Sequence, residues 1–422
     1  MEMPTCVIGK ISALALLIAT THLLVFANDW PQWRGPKRDG VVAAYTSPKS
    51  WPEQLKLKWK ANVGEGQASP VVAGERIYLF THQVGQEVVA CLNLATGKQI
   101  WRNQYPVKFT VHEAAKAYGP GPKATPAIHN GKLYTVGVTG VMSCLDAATG
   151  KLLWRKEPTG GVNVAYPRFG MAISPLVIDG VLIAPVGGDR RTAAVAGFDA
   201  NTGAEKWRWA NDRMSEDDGP EYSSPIVVEV AGVLHLVTIG GKKVIGLAPD
   251  SGRLLWQYAF EADWESTVTP VAHNGLIIVS GHSIGMFAVR VNRQGNEWRA
   301  EQVWRNPDLF TFLSTPVAYG NWLFGLAIRN KGQYFCVDVN TGETVWVTQG
   351  REAENVALLR AGDDLFVLTN EATLIVAKSS AKGFEPMRRY QVADTPTWAH
   401  PVLLDKQILI KDASNLALWS FE

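Results

Sequence analysis

The sequence has little charge and no excess of either sign. Charged residues make up 19% of its 422 residues, and 41 lysines and arginines against 39 aspartates and glutamates leave a net charge of +2. This balance gives no indication of the basic surface with which proteins bind nucleic acid or anionic membranes. Hydrophobic residues, at 46%, are numerous enough for a large core, which excludes a disordered chain.

Cysteine is also scarce, with four residues that form none of the common cofactor motifs. The sequence has no adjacent Cys-Cys pair and no Cys-x-x-Cys-His motif for a c-type haem. The His-Glu-x-x-His zinc motif and the phosphate-binding Gly-rich lysine loop are absent as well. The sequence therefore offers no motif evidence for a haem protein, a zinc peptidase or a nucleotide-binding enzyme.

Long apolar runs are missing except at the N-terminus. The run from Ile11 to Phe26 follows Lys10 and ends before the small residue Ala27, as in a secretory signal peptide. We predict a signal peptide over 1–27, an N-terminal extension over 28–54 and export to the periplasm or the exterior. An uncleaved anchor is the alternative, although 16 residues are few for a membrane span. We expect no membrane span after signal removal.

What the sequence has in abundance is a repeat rich in glycine, proline and tryptophan. Each unit begins with Thr/Ser-Pro and continues with two apolar strands around a Gly turn. An Asp-x-x-Thr-Gly turn follows, and then an aromatic residue. In the five best copies the tryptophan follows the glycine by four residues, as in Asp146 to Gly150 before Trp154. The aromatic series comprises Trp59, Trp101, Trp154, Trp207, Trp256, Trp304, Trp346 and Tyr390. Asx turns and glycines with positive φ make each Thr-Gly segment a hairpin turn.

The period of this repeat predicts the architecture. Residues 55–422 number 368, which gives 46 residues for each of eight units. About four strands in such a period are typical of a β-propeller blade. We predict an all-β, eight-bladed propeller over 55–422, in which residues 55–60 complete the last blade beside 416–421 and so close the ring. Two four-bladed lobes or an open solenoid is the alternative.

The repeat resembles that of the PQQ-like (quinoprotein-type) β-propeller family. The Asp-x-x-Thr-Gly-x-x-x-Trp unit is similar to its tryptophan-docking motif, and the segments 29–36 and 398–401 resemble secreted bacterial members. The family includes quinone-dependent alcohol and sugar dehydrogenases and a propeller subunit of the outer-membrane assembly machine, so the resemblance implies a fold and not one function. The chain lacks the cysteine pair of many dehydrogenases and the lipobox cysteine of the assembly subunit.

Three cysteines occupy one position of the repeat. Cys91, Cys144 and Cys336 each precede the threonine of a Thr-Gly turn by five residues, on the third strand of a blade. Equivalent third strands of adjacent blades are expected about 10 Å or more apart, beyond the reach of a disulfide. We therefore predict free, buried thiols. Distortion that pairs Cys91 with Cys144 is the alternative.

The connections between blades predict where a ligand binds. Three consecutive ones are long, roughly 102–124, 155–173 and 208–223, and long loops on a rigid scaffold usually carry recognition. The acidic run from Asp212 to Glu221 matches no EF-hand spacing, and we interpret it as a solvated loop in preference to a Ca²⁺ site. The predicted channel-mouth residues are Lys123, Arg168, Asp189, Arg190, Tyr222, Trp264, Arg329, Glu354, Trp398 and His400. We expect Trp30 and Trp33 to pack the extension onto a blade.

The sequence thus favours a monomeric binding or assembly scaffold without a cofactor or metal. Its ligand is expected to be a protein segment, an envelope polymer or a small molecule, held on the face with the long loops. The alternative is a quinoprotein oxidoreductase that uses PQQ with Ca²⁺ to oxidise alcohols or sugars. No catalytic residue can be assigned for that alternative. A glycan-binding or lyase-like propeller is a third possibility, which no residue specifically favours.

Overall fold

Short apolar strands separated by tight turns build eight antiparallel four-stranded blades in the computed structural model, and a short parallel strand adds to one of them as a fifth. The sheets follow one another along the chain as blades 1 to 8 of a propeller. The structure describes residues 29–42, 45–158, 169–186, 194–210, 222–240, 242–261, 267–281 and 284–422. The predicted all-β, eight-bladed fold is confirmed. None of the helices among these residues is long and apolar enough to cross a membrane.

The strands are numbered along the chain from two N-terminal strands, β1 (Val41–Val42) and β2 (Lys56–Asn62). Blade 1 contains β3 (Val71–Ala73), β4 (Arg76–Gln83), β5 (Gln86–Asn93) and β6 (Gln99–Pro106), and blade 2 contains β7 (Ala127–His129), β8 (Lys132–Val136), β9 (Met142–Asp146) and β10 (Leu152–Lys156). Blade 3 contains β11 (Leu176–Ile178), β12 (Val181–Val186), β13 (Ala194–Asp199) and β14 (Glu205–Ala210). Blade 4 contains β15 (Ile226–Val230), β16 (Val233–Ile239), β17 (Lys243–Leu247) and β18 (Leu254–Ala259).

Blade 5 contains β19 (Val271–His273), β20 (Leu276–Gly281), β21 (Gly285–Gln294) and β22 (Glu297–Asn306), and blade 6 contains β23 (Val317–Tyr319), β24 (Trp322–Ala327), β25 (Gln333–Asp338) and β26 (Thr344–Val347). Blade 7 contains β27 (Val356–Ala361), β28 (Asp364–Thr369), β29 (Thr373–Lys378) and β30 (Pro386–Gln391). Blade 8 contains β31 (Val402–Leu404), β32 (Gln407–Lys411) and β33 (Asn415–Ser420). Two short 3₁₀ helices, Glu113–Tyr118 and Arg329–Lys331, lie in connections.

The two ends of the propeller differ in their connections. One end, here the turn face, carries the turns between the first and second strands and between the third and fourth strands of each blade. The other end, here the loop face, carries the connections between blades. Asn130, Asp179 and Asn274 begin turns on the turn face with φ of 47° to 49°, and a glycine with positive φ follows each. These are the dihedrals of a type I′ hairpin turn, which matches the twist of the paired strands.

The repeated aromatic residues lie on the outer strands and contact the next blade. Six of them donate a hydrogen bond from Nε1 to a carbonyl of that blade at 2.7 to 3.2 Å: Trp59 to Leu94, Trp101 to Ala147, Trp154 to Ala200, Trp207 to Pro249, Trp304 to Val339 and Trp346 to Ser380. The rings of five also cover the glycine of the neighbouring turn. The repeat therefore encodes contacts between blades as well as a turn within each blade.

The ring closes as predicted, through pairing of the two ends of the chain. β2 pairs antiparallel with β33, with Lys56 opposite Ser420 and Asn62 opposite Asn415. Blade 8 is thus built from β31, β32 and β33 plus the N-terminal β2. Tyr390, the last member of the aromatic series, donates to the carbonyl of Pro52 at 2.7 Å.

Buried hydroxyl groups at the blade starts join neighbouring blades around the axis. In five places a backbone N–H just before an inner strand donates to the hydroxyl of the next blade: Ser69 to Thr125, Thr125 to Ser174, Ser174 to Ser224, Thr269 to Thr315 and His400 to Ser69. The last of these joins blade 8 to blade 1. The Thr/Ser-Pro start of the repeat therefore supplies a circular set of buried hydrogen bonds, each contributing about 1 kcal/mol.

Residues 29–42, here the axial segment, fill part of the central channel. Trp30 exchanges two backbone hydrogen bonds with Val72 of blade 1, and β1 pairs parallel with β27 of blade 7. Between these points, Arg34 donates to the carbonyls of Thr315 and Pro316 at the start of blade 6. Trp30 thus holds the extension to blade 1, and Trp33 reaches further, to Thr269 of blade 5 and to His400, so the segment contacts inner strands around the ring.

Candidate functional site

The long connections lie on the loop face, but much of the predicted site falls outside the described residues. Arg168, Asp189, Arg190 and Trp264 are not among them, and neither is the acidic run from Asp212 to Glu221. The outer strands also extend further than the spacing predicted, since β6, β10 and β14 continue to Pro106, Lys156 and Ala210. The aromatic residue marks the middle of an outer strand and not its end.

The described part of the loop face has an aromatic contact between blades 1 and 8. The half-buried Trp398 meets Tyr118 edge-on, with ring centroids 4.7 Å apart. Tyr118 ends the 3₁₀ helix Glu113–Tyr118, where His112 Nδ1 accepts a hydrogen bond from the N–H of Ala114. This contact connects the long first loop to the last blade. It provides an aromatic surface with an exposed helix beside it.

Two ionisable residues of the predicted site belong to this region. Glu354 is exposed, and its Oε2 accepts a hydrogen bond from Asn370 Nδ2 at 3.2 Å. Lys123 precedes the inner strand of blade 2, and among the described residues its buried Nζ has no hydrogen-bond partner. Burial lowers the pKa of Lys123 to about 8. A substantial fraction of this amine is therefore neutral near pH 8, and a partner carboxylate would restore its charge.

Tyr222 belongs to a second aromatic group on the same face. Its hydroxyl accepts a hydrogen bond from the N–H of Phe169 at 3.4 Å, and the two ring centroids are 6.0 Å apart. Phe169 in turn meets the ring of His112 edge-on at 5.5 Å. This group connects the described ends of the three long loops. Tyr222 is itself buried, so it positions these loops rather than presenting a free hydroxyl.

His400 lies below the face and not at its rim, which corrects the prediction. Its ring is buried against Trp33 of the axial segment, with centroids 4.4 Å apart. Trp33 Nε1 donates to Thr269 Oγ1 at 3.0 Å. Burial, and then the nearby Arg34, hold the pKa of His400 well below its usual value. The imidazole is therefore neutral at physiological pH and forms part of the channel filling.

Arg329 is exposed in the second 3₁₀ helix and meets none of the other described site residues in a hydrogen bond or ion pair. The structure therefore does not join Arg329 to the other described residues of the predicted site.

The described residues of the axis do not fit a calcium-bound quinone. Ca²⁺ requires several oxygen ligands, commonly carboxylates, yet no group of three His, Cys, Asp or Glu within the described ranges could hold a metal ion. The axis instead holds the buried guanidinium groups of Arg34 and Arg38 among backbone carbonyls and hydroxyls. This donor set suits an anion better than a cation, and we derive no reaction step through a quinone.

One segment of the sequence has the spacing of a hydrolase motif. Gly281-His282-Ser283-Ile284-Gly285 matches Gly-x-Ser-x-Gly, the motif of a nucleophile elbow. That elbow requires a strand followed by a helix, whereas Gly281 ends β20 and Gly285 begins β21 of the same antiparallel pair. Gly281 and Gly285 pair with each other as the ends of two adjacent antiparallel strands, so the context of the motif does not support a catalytic serine.

The predicted free thiols are confirmed. Cys91, Cys144 and Cys336 are unpaired and buried on β5, β9 and β25. Burial raises the pKa of each thiol, to about 11 for the first two and about 12 for Cys336. Thiols with such values stay protonated at neutral pH and are poor nucleophiles and metal ligands, so these cysteines serve as small core residues.

A cleft between blades 4 and 5 is the main feature that sequence reasoning missed. It opens on the turn face, has a volume of about 600 Å³, and reaches inward to residues 37–39 of the axial segment. The signal in the sequence was the missing Asp-x-x-Thr-Gly turn before Trp304, where blade 5 instead extends β21 and β22 to ten residues each.

Comparison with known proteins identifies two groups of relatives. Quinohemoprotein alcohol dehydrogenase from Comamonas testosteroni is 27% identical over 186 residues, covering 43% of this chain and 24% of that protein. Its solved structure aligns with a TM-score of 0.66 at 15% identity, over 93% of this chain and 80% of the other. The matched region thus spans about a quarter of the dehydrogenase sequence, and the structural likeness shows the fold alone.

The second group matches over most of its length. Outer membrane protein assembly factor BamB from Shewanella oneidensis is 24% identical over 370 residues, covering 85% of this chain and 87% of that protein. The crystal structure of BamB from Moraxella catarrhalis aligns with a TM-score of 0.63 at 13% identity, over 87% of this chain and 98% of that one.

A family profile also matches the repeat. The profile described as outer membrane protein assembly factor BamB matches residues 85–348, more than half of the chain. Together with the eight closed blades and their repeated tryptophans, this match shows that the chain belongs to the PQQ-like β-propeller family of that description.

Proposed function

We propose that the protein is an exported binding and assembly scaffold whose partner is an envelope protein held on the loop face. The observation that carries the proposal is the filled axis beneath that face, where Trp33 packs against His400 and Arg34 is buried. A filled axis leaves an aromatic and polar surface rather than a deep cofactor pocket, and such surfaces suit protein recognition.

The relatives support the same proposal. The Shewanella BamB protein, described as an outer membrane assembly factor, matches this chain over most of both lengths, whereas the dehydrogenase match covers a small part of a longer protein. Export through the segment 1–27, a periplasmic or extracellular location and a monomeric state form part of the proposal. An envelope polymer or a small ligand on the loop face is the less specific form of it.

A photo-crosslinking experiment tests the loop face directly. We would place a photoreactive amino acid at the exposed Ala114, in the 3₁₀ helix beside the Trp398 contact, and irradiate cells that export the protein. We expect a discrete crosslinked envelope protein. Trp398→Ala should reduce its yield at least about threefold, because removal of an interface aromatic commonly costs more than 1 kcal/mol.

The matched control carries the photoreactive amino acid at the exposed Ala95, in a turn of blade 1 on the turn face, and should give no such product. Equal crosslinking from both positions would contradict the proposal. So would a purified protein that binds PQQ with Ca²⁺, shows a quinone absorbance band and reduces a dye with alcohols, because the quinoprotein alternative predicts that outcome.

A further inference from the structure

Blades 4 and 5, which flank the cleft, share a hydrophobic core but lack the usual tryptophan hydrogen bond between blades. In the other blade pairs described above, an outer-strand tryptophan donates to the following blade. Trp256 of blade 4 instead donates to His235 Nδ1 within its own blade, at 2.8 Å. Blade 5 offers it no Thr-Gly turn, and Trp298 on the long hairpin packs edge-on against His235 with centroids 4.4 Å apart. The gap on the turn-face side of these blades stays open.

The walls of the cleft are two inner strands with free backbone edges. β15 and β19 are each the terminal strand of their sheet, so their axial edges have no strand partner among the described residues. Elsewhere in the channel the protein's own chain pairs with such edges. Val41–Val42 adds to β27 in parallel, and Trp30 forms an antiparallel bridge with Val72. Inner strands of this propeller therefore accept an extended polypeptide segment by strand addition.

The charge around the cleft favours an anionic ligand. Arg38 is only 3% exposed, and its guanidinium donates to the carbonyls of Ser174 and Pro175, with no carboxylate of the described residues in ion-pair range. Lys37 and Arg290 are exposed cations that line the same cleft, and neither has an ion-pair partner among the described residues.

Two carboxylates, Asp39 and Glu229, line the same cleft. Asp39 Oδ1 is already engaged with the N–H of Val41 at 2.9 Å. Among the described residues neither carboxylate forms an ion pair with the guanidinium of Arg38, whose pKa burial lowers to about 9. A ligand carboxylate in the cleft would supply a compensating charge.

We propose that the cleft between blades 4 and 5 binds an extended polypeptide segment carrying a carboxylate, by strand addition to β15 or β19 and charge pairing with Lys37 and Arg290. The site lies on the turn face, so it is separate from the partner surface proposed for the loop face. The carboxylate comes either from an acidic side chain or from a chain terminus.

Fluorescence anisotropy with labelled peptides tests this site on the purified chain. The first probe alternates valine and threonine around a central glutamate and has an amidated C-terminus. The second replaces the glutamate by glutamine and has a free C-terminal carboxylate, and the third carries neither carboxylate. We expect the first or the second probe to bind about tenfold or more tightly than the third, with affinity falling as salt rises.

Substitutions locate the binding. The double variant Lys37→Gln with Arg290→Gln should weaken binding of the carboxylate probe by about tenfold, since it removes two partly exposed charge pairs. Ala272→Trp should also weaken it, because Ala272 is an exposed, cleft-lining residue of β19 where an indole would fill the space. A probe methylated on alternate backbone nitrogens should bind less well, since strand addition needs its N–H groups.

Arg253→Gln is the matched control, because Arg253 is an exposed cation on the turn face of blade 4 and does not line the cleft. It should leave binding unchanged, as should Trp398→Ala on the loop face. The proposal is overturned by equal binding of the neutral probe, by full binding to the double variant, by insensitivity to N-methylation or by no saturable binding. Self-association of the chain that the peptides do not inhibit would also contradict it.

Discussion

At the scale of single residues, this protein buries ionisable groups along the contacts that hold its blades together. Arg34 and Arg38 bind backbone carbonyls of blades 6 and 3, and Lys411 is buried with its Nζ on the carbonyl of Gly66 at 2.7 Å. Each of these cations satisfies carbonyl groups that no strand reaches. Removal of one of these side chains would leave such carbonyl groups buried without partners, which commonly costs about 1–3 kcal/mol of stability for each group.

The acid sensitivity of folding should depend on His235. Burial lowers its pKa to about 4, and the ring accepts a hydrogen bond from Trp256 in its neutral form. The unfolded chain binds a proton near pH 6.5 and the folded chain does not, so stability is full above that pH and falls as the pH drops towards 4. His235→Asn retains an acceptor but does not titrate. We expect it to lose on the order of 2 kcal/mol less stability than wild type over this range.

Urea unfolding at a series of pH values measures this effect. His400 remains in both proteins, so its own acid sensitivity, which has the same sign, cancels in the comparison. Parallel curves for the variant and the wild type would show that His235 does not carry the protonation linkage.

At the scale of structural elements, the unit that repeats is a turn together with the tryptophan of the preceding blade. Trp101 of blade 1 lies over Gly150 of blade 2, where an added Cβ would fall 2.4 Å from the ring. Asp146 Oδ1 accepts from the N–H and the hydroxyl of Thr149, at 2.8 and 2.7 Å, which shapes the turn that presents this glycine. The conformation of one blade thereby creates the docking surface for another.

Two glycine substitutions in blade 2 separate turn strain from blade packing. Gly150 and Gly131 have nearly the same positive φ, 74° and 72°, but a Cβ on Gly131 would meet nothing within 4 Å. Gly131→Ala should therefore cost about 1 kcal/mol, the usual strain of alanine in this region. Gly150→Ala should cost about 3 kcal/mol, because it also displaces the tryptophan. The free energies of unfolding in urea measure both.

If the two variants prove equally stable, the tryptophan contact contributes no packing energy beyond the turn. A larger loss in Gly131→Ala would contradict the assignment altogether.

At the scale of the whole molecule, the N-terminal part of the chain contacts the ring in two places. The axial segment contacts inner strands inside the channel, and β2 then completes blade 8 on the outside. Between them Trp51 is buried against Phe366 and Phe421, with centroids 5.7 and 5.2 Å away, in the core shared by blades 7 and 8. The termini are thus joined through the outer strand, the core and the axis.

Two N-terminal truncations distinguish these contributions. A chain that begins at residue 45 keeps β2 and should remain folded, with a lower midpoint of thermal unfolding. Amide exchange should become faster in the inner strands around Val72 and Ile128, because these residues lose their hydrogen bonds to the axial segment. A chain that begins at residue 63 exposes the edge of β33 and should aggregate or lose cooperative unfolding. Hydrogen exchange and size-exclusion chromatography measure these outcomes.

The matched comparison is between the two truncations, since both lack the axial segment. Equal behaviour of the two would show that ring closure by β2 adds nothing to stability.

Local periodicity made most of the fold predictable. The spacing of Thr/Ser-Pro, Thr-Gly and tryptophan indicated eight blades, the pairing of β2 with β33 and the unpaired cysteines, because each depends on a pattern within about fifty residues repeated around a ring. The site was less predictable. Lys123, Tyr222, Glu354 and Trp398 do lie on the loop side, but His400 proved to be buried beneath Trp33, a residue 367 positions away in the chain.

By itself the amino-acid sequence determined the blade number and the turn chemistry, since these follow from local hydrogen bonding and from the alternation of apolar residues. It also indicated ring closure, because the last unit lacks a strand that the first residues of the repeat region supply. Only the tertiary structure decided what fills the axis and where a cleft separates two blades. Those features depend on long-range contacts of Arg34 and Arg38 with distant blades, and on one missing turn whose consequence appears only when blade 4 stands beside blade 5.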